Sequence, residues 1–219
     1  MIRFNSQFWE RTIPNRKLCT VIWYVVSFRQ NHTDRPVVFG AGPIGLGAAI
    51  SYKSLGVEHI VVVDILPARL QRALAVGADA IINSAEEDVQ ARLFELHGTA
   101  TSGTGQPCPG TDLYLDAAGV PAVIDTVMAC AKHGATLCIP AVHKKPVLVD
   151  FGKNLAAELD IKITMGYPTE IFEVTGDIIA NFDKYGAIIS HRFDFTDALE
   201  ALIVASTPGT AEKVVITFE

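Results

Sequence analysis

The 219-residue chain is short of basic residues and of charge in general. Its 18 lysines and arginines against 24 aspartates and glutamates give a formal net charge of −6. No basic stripe is present, so the sequence does not favour binding to nucleic acid. Because 49% of the residues are hydrophobic and only 19% are charged, the composition excludes a disordered chain and predicts a globular fold with a buried core.

Residue spacings typical of metal sites and disulfide frameworks are missing. The four cysteines form no C-x-x-C pair, and the six histidines have no H-x-x-x-H spacing. The sequence therefore predicts free thiols in a reducing, cytoplasmic compartment. It predicts no metal site built from this chain alone.

A hydrophobic run long enough to span a membrane is absent as well. The apolar run at residues 18–28 (LCTVIWYVVSF) is about half the length of a transmembrane helix. No small-residue cleavage site of a signal peptide follows it. We expect no membrane association and interpret this run as a core or edge strand.

Strand and helix patterns alternate from residue 36 onward. Apolar strands are predicted at 37–40, 59–64, 80–82, 113–116, 135–140 and 161–165. Helices between them are predicted at 43–55, 67–76, 86–96 and 120–131. Residues 97–110, rich in Gly, Thr, Ser and Pro, predict a surface loop. This alternation predicts an α/β fold with a doubly wound parallel sheet.

The C-terminal part of the chain does not continue this alternation of strands and helices. Helices are predicted at 169–185 and 196–205, and a terminal strand at 213–218. We therefore divide the chain into an unassigned segment (1–35), a dinucleotide-binding domain (36–167) and a C-terminal segment (168–219).

A glycine motif joins the first predicted strand to the first helix. Within VVFGAGPIGLGAAI (37–50), three glycines have the spacing G-x-G-x-x-G, with Pro43 and Ile44 between the last two; they are Gly40, Gly42 and Gly45. The first permits a tight turn, the second a close approach of a pyrophosphate, and the third close packing of the helix on the sheet. The motif predicts a pyrophosphate site at the N-terminus of the helix.

An acidic residue follows this motif at the spacing of a ribose-binding carboxylate. Asp64 ends the second predicted strand, 19 residues after Gly45. It either accepts hydrogen bonds from both ribose hydroxyls or caps the helix that begins near Pro67. Uncharged residues follow it, which favours NAD over NADP because a 2′-phosphate would be repelled. Arg69 either reaches the ribose or adenine edge or is a solvated helix residue.

Two segments that contain small residues lie where the fourth and fifth predicted strands terminate. Ligands of open α/β sheets bind outside the carboxyl ends of the strands, so these segments suit the nicotinamide half of a dinucleotide. The alternative is that their Gly and Pro residues simply end the strands. The residues of the two segments are Ala117, Ala118, Gly119, Ile139, Pro140 and Ala141. We interpret the nearby His133 and His143 as strand-flanking or surface residues.

Together these segments resemble the zinc-type medium-chain dehydrogenases, the group of alcohol, sorbitol and butanediol dehydrogenases. The matching stretches are VVFGAGPIGLGAA (37–49), HIVVVDILPARLQRALAVGADAIIN (59–83), DLYLDAAG (112–119), HGATLCIPAV (133–142) and EKVVITF (212–218). The resemblance covers residues 36–219 and implies a Rossmann domain that binds NAD, with cofactor positions at Gly40, Gly42, Gly45, Asp64 and Arg69. It also implies hydride transfer between an alcohol carbon and nicotinamide.

The resemblance further implies that the zinc apparatus lies elsewhere. In that family zinc ligands come from an N-terminal barrel-like domain with a GHE sequence, whereas residues 1–35 contain one cysteine, one histidine and no GHE. Residues 168–219 look like the part that returns to complete that domain, an incomplete remnant here. We expect either a truncated oxidoreductase, acting on a small alcohol or polyol when a catalytic domain is supplied, or an NAD-binding module without turnover. A homodimer through the sheet edge, at 146–151 or 162–165, is also expected.

Overall fold

A computed structural model describes residues 33–164, 171–207 and 209–218 of the chain. The strand predicted at 18–28 lies outside these residues, as do the ends of the elements predicted at 161–165 and 169–185. The first eight strands are β1 Pro36–Phe39, β2 Val61–Asp64, β3 Ala80–Asn83, β4 Thr99–Thr101, β5 Pro107–Pro109, β6 Leu113–Asp116, β7 Thr136–Ile139 and β8 Asp160–Ile163.

Six of these strands form one parallel sheet in the order β3-β2-β1-β6-β7-β8. This is the doubly wound strand order of dinucleotide-binding domains, and the predicted fold class is confirmed. From β1 to β3 each new strand is added on one side of β1, whereas β6, β7 and β8 are added on its other side. The strand order therefore reverses between β1 and β6. Phe39 of β1 pairs with Val63 of β2 and with Asp116 of β6, so these three strands end side by side.

Helices cover both faces of the sheet. They are α1 Pro43–Ser54, α2 Pro67–Val76, α3 Val89–His97, α4 Pro121–Cys130 and the short α5 Phe151–Asn154. β1 is buried along its whole length, and its side chains alternate between two cores. Val38 packs in one core with residues of α1 and α2, while Val37 and Phe39 pack in the other with residues of α3 and α4. Burial on both faces explains why the strands read as uninterrupted apolar runs.

The C-terminal elements are α6 Ile171–Ala180, α7 Phe182–Gly186, β9 His191–Asp194, α8 Ala198–Ser206 and β10 Val214–Thr217. β9 and β10 form a separate parallel pair. Tyr185 of α7 is fully buried, and its hydroxyl lies 3.1 Å from Ser51 Oγ of α1 and donates to Asp177. The α6–α7 pair is thus part of the helix layer over the sheet, while the domain division at residue 168 stays a prediction.

The structure corrects several predicted elements. Residues 97–110 are not a plain loop, because β4 and β5 pair as an antiparallel ribbon. The helix expected at 86–96 begins only at Val89, since Asp88 caps it by accepting a hydrogen bond from the Ala91 amide at 2.9 Å. The helix expected at 169–185 is interrupted at Asn181, and β9 was not predicted.

The sheet edge differs from its prediction in one segment. Residues 146–150 form no strand, and Phe151 begins the short helix α5. β8 does form the edge of the sheet, and its Ile163 is 83% exposed. Dimerisation through this edge stays a prediction. Within the described ranges, none of the helices has the length and apolar character of a membrane span.

The cysteines in the described ranges are Cys108, Cys130 and Cys138, and all three are buried. Burial raises the pKa of the Cys108 thiol, and it raises the pKa of Cys130 to about 12. Because the thiolate is the reactive form, we infer that these two thiols are unreactive at neutral pH.

A buried histidine joins the predicted loop to the core. His97, at the end of α3, is 1% exposed. Its Nε2 lies 2.9 Å from the His59 carbonyl oxygen, and its Nδ1 lies 2.9 Å from Thr111 Oγ1. A carbonyl only accepts, so Nε2 carries the proton and Nδ1 accepts from the hydroxyl, which is the neutral form. Burial lowers the pKa of His97 from 6.5 to about 4.

We expect this histidine to make folding stability depend on pH below neutrality. Between the ordinary pKa of 6.5 and the folded value of about 4, the unfolded chain binds a proton that folded His97 does not. Stability is therefore fully present above the higher value and falls with decreasing pH by up to about 1.4 kcal/mol per pH unit. Urea unfolding at several pH values across this window measures the slope. The neutral variant His97→Gln is the control, and the same slope in that variant would contradict the assignment.

Candidate cofactor-binding site

The glycine motif lies at the carboxyl end of β1, where the sheet opens. Gly40 has a φ of +96°, and its amide donates to the Val63 carbonyl at 2.7 Å. A Cβ on Gly40 would lie 3.0 Å from the Ala118 amide nitrogen, and one on Gly45 would lie 1.8 Å from the Gly40 carbonyl oxygen. These two glycines are therefore required by the packing of the chain itself.

The middle glycine of the motif differs from its neighbours. Gly42 is the N-cap residue of α1, and α1 has no side-chain cap. A Cβ on Gly42 would meet no atom within 4 Å, so the space beside the helix N-terminus is open. Helix N-termini present free N–H groups and a partial positive charge. Together these features fit an anionic group such as a pyrophosphate.

Asp64 connects the glycine motif to the end of β2. Its Oδ2 accepts from the Ala41 amide at 2.7 Å, and its Oδ1 accepts from the Ile65 and Leu66 amides at 2.7 and 2.9 Å. The carboxylate therefore shapes the turn before α2, although the N-cap residue of α2 is Leu66. A carboxylate has about four acceptor positions, and three are used here, so about one remains at Oδ2 for a hydroxyl group.

Arg69 points its guanidinium toward the C-terminal segment. Its Nη2 lies 3.4 Å from the Ala211 carbonyl oxygen. The next arginine on this helix, Arg72, forms an ion pair with Glu212 at 3.1 Å. Both contacts join α2 to the residues before β10, and the predicted role of Arg69 at the ribose or adenine stays a prediction.

The predicted nicotinamide segments lie beside this loop. Asp116 at the end of β6 is fully buried, and its Oδ1 accepts from the Ala118 and Gly119 amides at 3.0 and 2.8 Å. Gly119 has a φ of +69°, and a Cβ there would lie 2.9 Å from the Val142 carbonyl oxygen. The segment after β6 therefore contacts the segment after β7, which begins at Pro140 and Ala141, while the predicted Ile139 is the last residue of β7.

Of the two alternatives predicted for His143, the structure agrees with a strand-flanking residue, four positions after β7, and not with a surface residue. Its Nε2 lies 2.7 Å from Asp116 Oδ2, and its side chain is 17% exposed. His133 agrees with the surface alternative, because it is exposed and lies 3.4 Å from Glu158. The sequence analysis missed Asp116 and His143 as a pair. The available signal was the position of Asp116 at the end of a strand, three residues before a glycine.

The structure thus brings the two halves of the predicted site to one edge of the sheet. The Ala117 amide donates to the Phe39 carbonyl at 2.8 Å, which joins the segment after β6 to β1. The Ala141 amide donates to the Asp116 carbonyl at 3.2 Å, which joins the segment after β7 to β6. Asp64 binds the glycine loop from the other side. Cofactor binding by these residues stays a prediction.

No metal-binding cluster is found in the part of the chain that the structure describes. Within those ranges, no three or more His, Cys, Asp or Glu side chains are grouped so that they could hold a metal ion. The described residues therefore do not fit a zinc ion.

Comparison with known proteins identifies the family. The family described as zinc-binding dehydrogenase matches residues 43–181. The chain belongs to this family. The match covers Gly45 of the glycine motif, the turn at Asp64 and the two segments predicted for the nicotinamide half, but it begins after Gly40 and Gly42. It confirms the resemblance found in the sequence.

Curated relatives of this dehydrogenase-family chain match only part of their length. The L-threonine 3-dehydrogenases of Burkholderia ambifaria and Chromobacterium violaceum are each 28% identical to the chain over 183 residues. The aligned region is 82% of the chain and 50% of each relative. The chain spans about half the length of the curated relatives it matches.

Solved structures support the fold. An alcohol dehydrogenase from Thermotoga maritima superposes with a TM-score of 0.81 at 22% identity, covering 96% of this chain and 59% of that one. A protein described as a short-chain alcohol dehydrogenase from Escherichia coli, solved with NADH, gives 0.77 at 24% identity, with 93% and 58% covered. The 2R,3R-butanediol dehydrogenase of Bacillus subtilis gives 0.75 at 23% identity, with 92% and 56% covered. At these identities the likeness concerns the fold.

Proposed function

We propose that the chain binds NAD(H) and is the cofactor-binding half of a zinc-type alcohol or polyol dehydrogenase. The open space at Gly42, beside an uncapped helix N-terminus, is the observation that carries this proposal. Membership of the zinc-binding dehydrogenase family supports it, since relatives are described as threonine, alcohol and butanediol dehydrogenases. NAD, when bound, supplies the acceptor for a hydride from an alcohol carbon.

The residues of this chain would bind and orient the dinucleotide. The backbone N–H groups of Gly42 and Ile44 at the start of α1 would donate to the pyrophosphate, and Pro43, which has no N–H, would lie between them. The Oδ2 atom of Asp64 would accept a hydrogen bond from one hydroxyl of the adenosine ribose. The nicotinamide half would lie against Ala117–Gly119, which follow β6, and against Ile139–Ala141, at and just beyond the end of β7. The described residues supply no metal ligands, and we assign no proton transfer to them.

The charge around the ribose position favours NAD over NADP. Asp64 is an anion next to the proposed ribose site, and Ile65 beside it is uncharged and 60% exposed. Arg69, the cation five positions on, contacts Ala211 through its guanidinium. A 2′-phosphate placed here would face the carboxylate without an adjacent cation, which is unfavourable.

Calorimetric titration with NADH and NADPH tests the proposal. We expect NADH to bind, and NADPH to bind at least about tenfold more weakly because of charge repulsion at Asp64. A chain that binds neither nucleotide would contradict the proposal. Equal affinities would contradict the preference for NAD alone.

An NAD-binding module without turnover is the second candidate function. It is considered because, among the described residues, no three or more His, Cys, Asp or Glu side chains are grouped so that they could hold a metal ion. Assays of NAD reduction with added zinc and a panel of alcohols, polyols and L-threonine separate the two functions. NADH binding without any turnover would support the module for the chain as it stands, and turnover would exclude it.

A further inference from the structure

The Asp116–His143 pair fixes the hydrogen positions of a buried imidazole. Asp116 is fully buried, and its carboxylate oxygens accept from the Ala118 amide, the Gly119 amide and His143 Nε2. A carboxylate can only accept, so Nε2 of His143 carries a hydrogen and donates it. The second ring nitrogen, Nδ1, is then an acceptor in the neutral ring and a donor in the charged ring.

This second nitrogen has no hydrogen-bond partner among the residues that the structure describes, and it has no accessible surface. Bulk water therefore does not satisfy it. Buried polar atoms without partners are rare and destabilising in folded proteins, so a specific one needs an explanation. The remainder of the imidazole does reach the surface, since the side chain is 17% exposed.

The position of His143 indicates what the missing partner is. It follows β7 by four residues and contacts the end of β6, so it lies between the two segments proposed for the nicotinamide half. We infer that Nδ1 of His143 hydrogen-bonds the carboxamide of the nicotinamide ring. This inference rests on the proposed function. A carboxamide offers both a donor and an acceptor, so it matches Nδ1 in either protonation state.

Ligand access requires a shift of the two segments. Neither 117–120 nor 140–145 contains a helix or strand. The segments touch at Gly119, where the Val142 carbonyl lies close to the glycine. Separation of these segments opens a path to Nδ1 while β6 and β7 stay paired. Nicotinamide binding would then satisfy an atom that is unsatisfied in the free chain, which favours the bound arrangement.

Two substitutions at this position separate ligand binding from support of Asp116. Glutamine places its terminal amide near the position of Nε2, so His143→Gln keeps a donor to Asp116 and removes the group at Nδ1. Asparagine places its amide near the position of Nδ1, so His143→Asn does the reverse. Thermal unfolding of both variants shows whether the fold is retained.

Each variant is titrated with NADH and with ADP-ribose, which lacks the nicotinamide ring. We expect His143→Gln to bind NADH about three- to tenfold more weakly than the parent chain, as for the loss of one hydrogen bond. Its affinity for ADP-ribose should be unchanged. His143→Asn should retain more of the NADH affinity than His143→Gln. If the asparagine variant is unstable because Asp116 loses its partner, the glutamine variant still decides the question.

Three results would overturn the inference alone. They are unchanged NADH affinity in His143→Gln, equal losses for NADH and ADP-ribose in that variant, or, when thermal unfolding shows that both variants are folded, better NADH binding by His143→Gln than by His143→Asn. The last result would mean that His143 serves only to support Asp116. A parent chain that binds neither ligand would instead overturn the proposed function, and this inference with it.

Discussion

Valine in place of Gly42 is expected to abolish detectable NADH binding while the chain stays folded. The added side chain would occupy the open space beside the N-terminus of α1, which is the proposed pyrophosphate position. We expect affinity to fall by about a hundredfold or more, which corresponds to about 3 kcal/mol. The backbone at Gly42 is extended, with a φ of −78°, and valine adopts it without strain. Calorimetric titration and thermal unfolding measure the two effects.

Gly45 provides the matched comparison for this substitution. Alanine there would place its Cβ 1.8 Å from the Gly40 carbonyl oxygen, a backbone atom. We expect Gly45→Ala to lower the free energy of unfolding by about 2 kcal/mol or more through overpacking. Gly42→Val should change it by no more than about 1 kcal/mol, as for a changed N-cap residue. A stable Gly42 variant with normal NADH affinity would show that the pyrophosphate binds elsewhere.

Alanine in place of Asp64 is expected to impair both stability and cofactor binding. The carboxylate accepts three backbone hydrogen bonds, from the amides of Ala41, Ile65 and Leu66. Hydrogen bonds to a charged group contribute about 1.5–3 kcal/mol each, and water partly replaces the exposed ones, so we expect a loss of about 3 kcal/mol. Loss of the ribose contact should weaken NADH binding by about tenfold or more.

Asparagine in place of Asp64 removes the negative charge of the side chain but keeps nearly the same side-chain shape. Asp64→Asn keeps an acceptor for the Ile65 and Leu66 amides but turns an NH₂ group toward the Ala41 amide, so its stability should be intermediate. Removal of the negative charge should narrow the difference between NADH and NADPH affinities. Unchanged NADH affinity in both variants would remove Asp64 from the ribose site.

Elements controlled by local chemistry were predictable from the sequence. The bounds predicted for α2 agree with the structure, because Pro67 lies in its first turn and Gly77, with a φ of +123°, ends it. The strand predicted at 113–116 also agrees, since its apolar residues are buried on both faces. The glycine spacing placed Gly40 and Gly42 correctly at the first strand–helix junction.

Contacts between distant residues were not predictable in the same way. His143 pairs with Asp116, 27 residues away, only because β7 lies next to β6 in the sheet. The spacing of Asp64 predicted a ribose contact, but no residue near Asp64 in the sequence indicates that its carboxylate accepts a hydrogen bond from the Ala41 amide. β9 was missed because its partner, β10, follows only after another helix. Residues 146–150 have the apolar pattern of a strand but form none, and Val147 and Val149 instead pack their side chains against one of the two cores.

The hydroxyl contact between Ser51 and Tyr185 has a consequence for any attempt to divide this protein. Ser51 lies on the helix that begins beside Gly42, and it contacts the hydroxyl of Tyr185, which is 134 residues further along the chain. A fragment that stops at residue 167 would keep every residue proposed to bind the coenzyme but would lack Tyr185, which contacts that helix. A fragment that preserves the contact between Ser51 and Tyr185 therefore has to extend through α7.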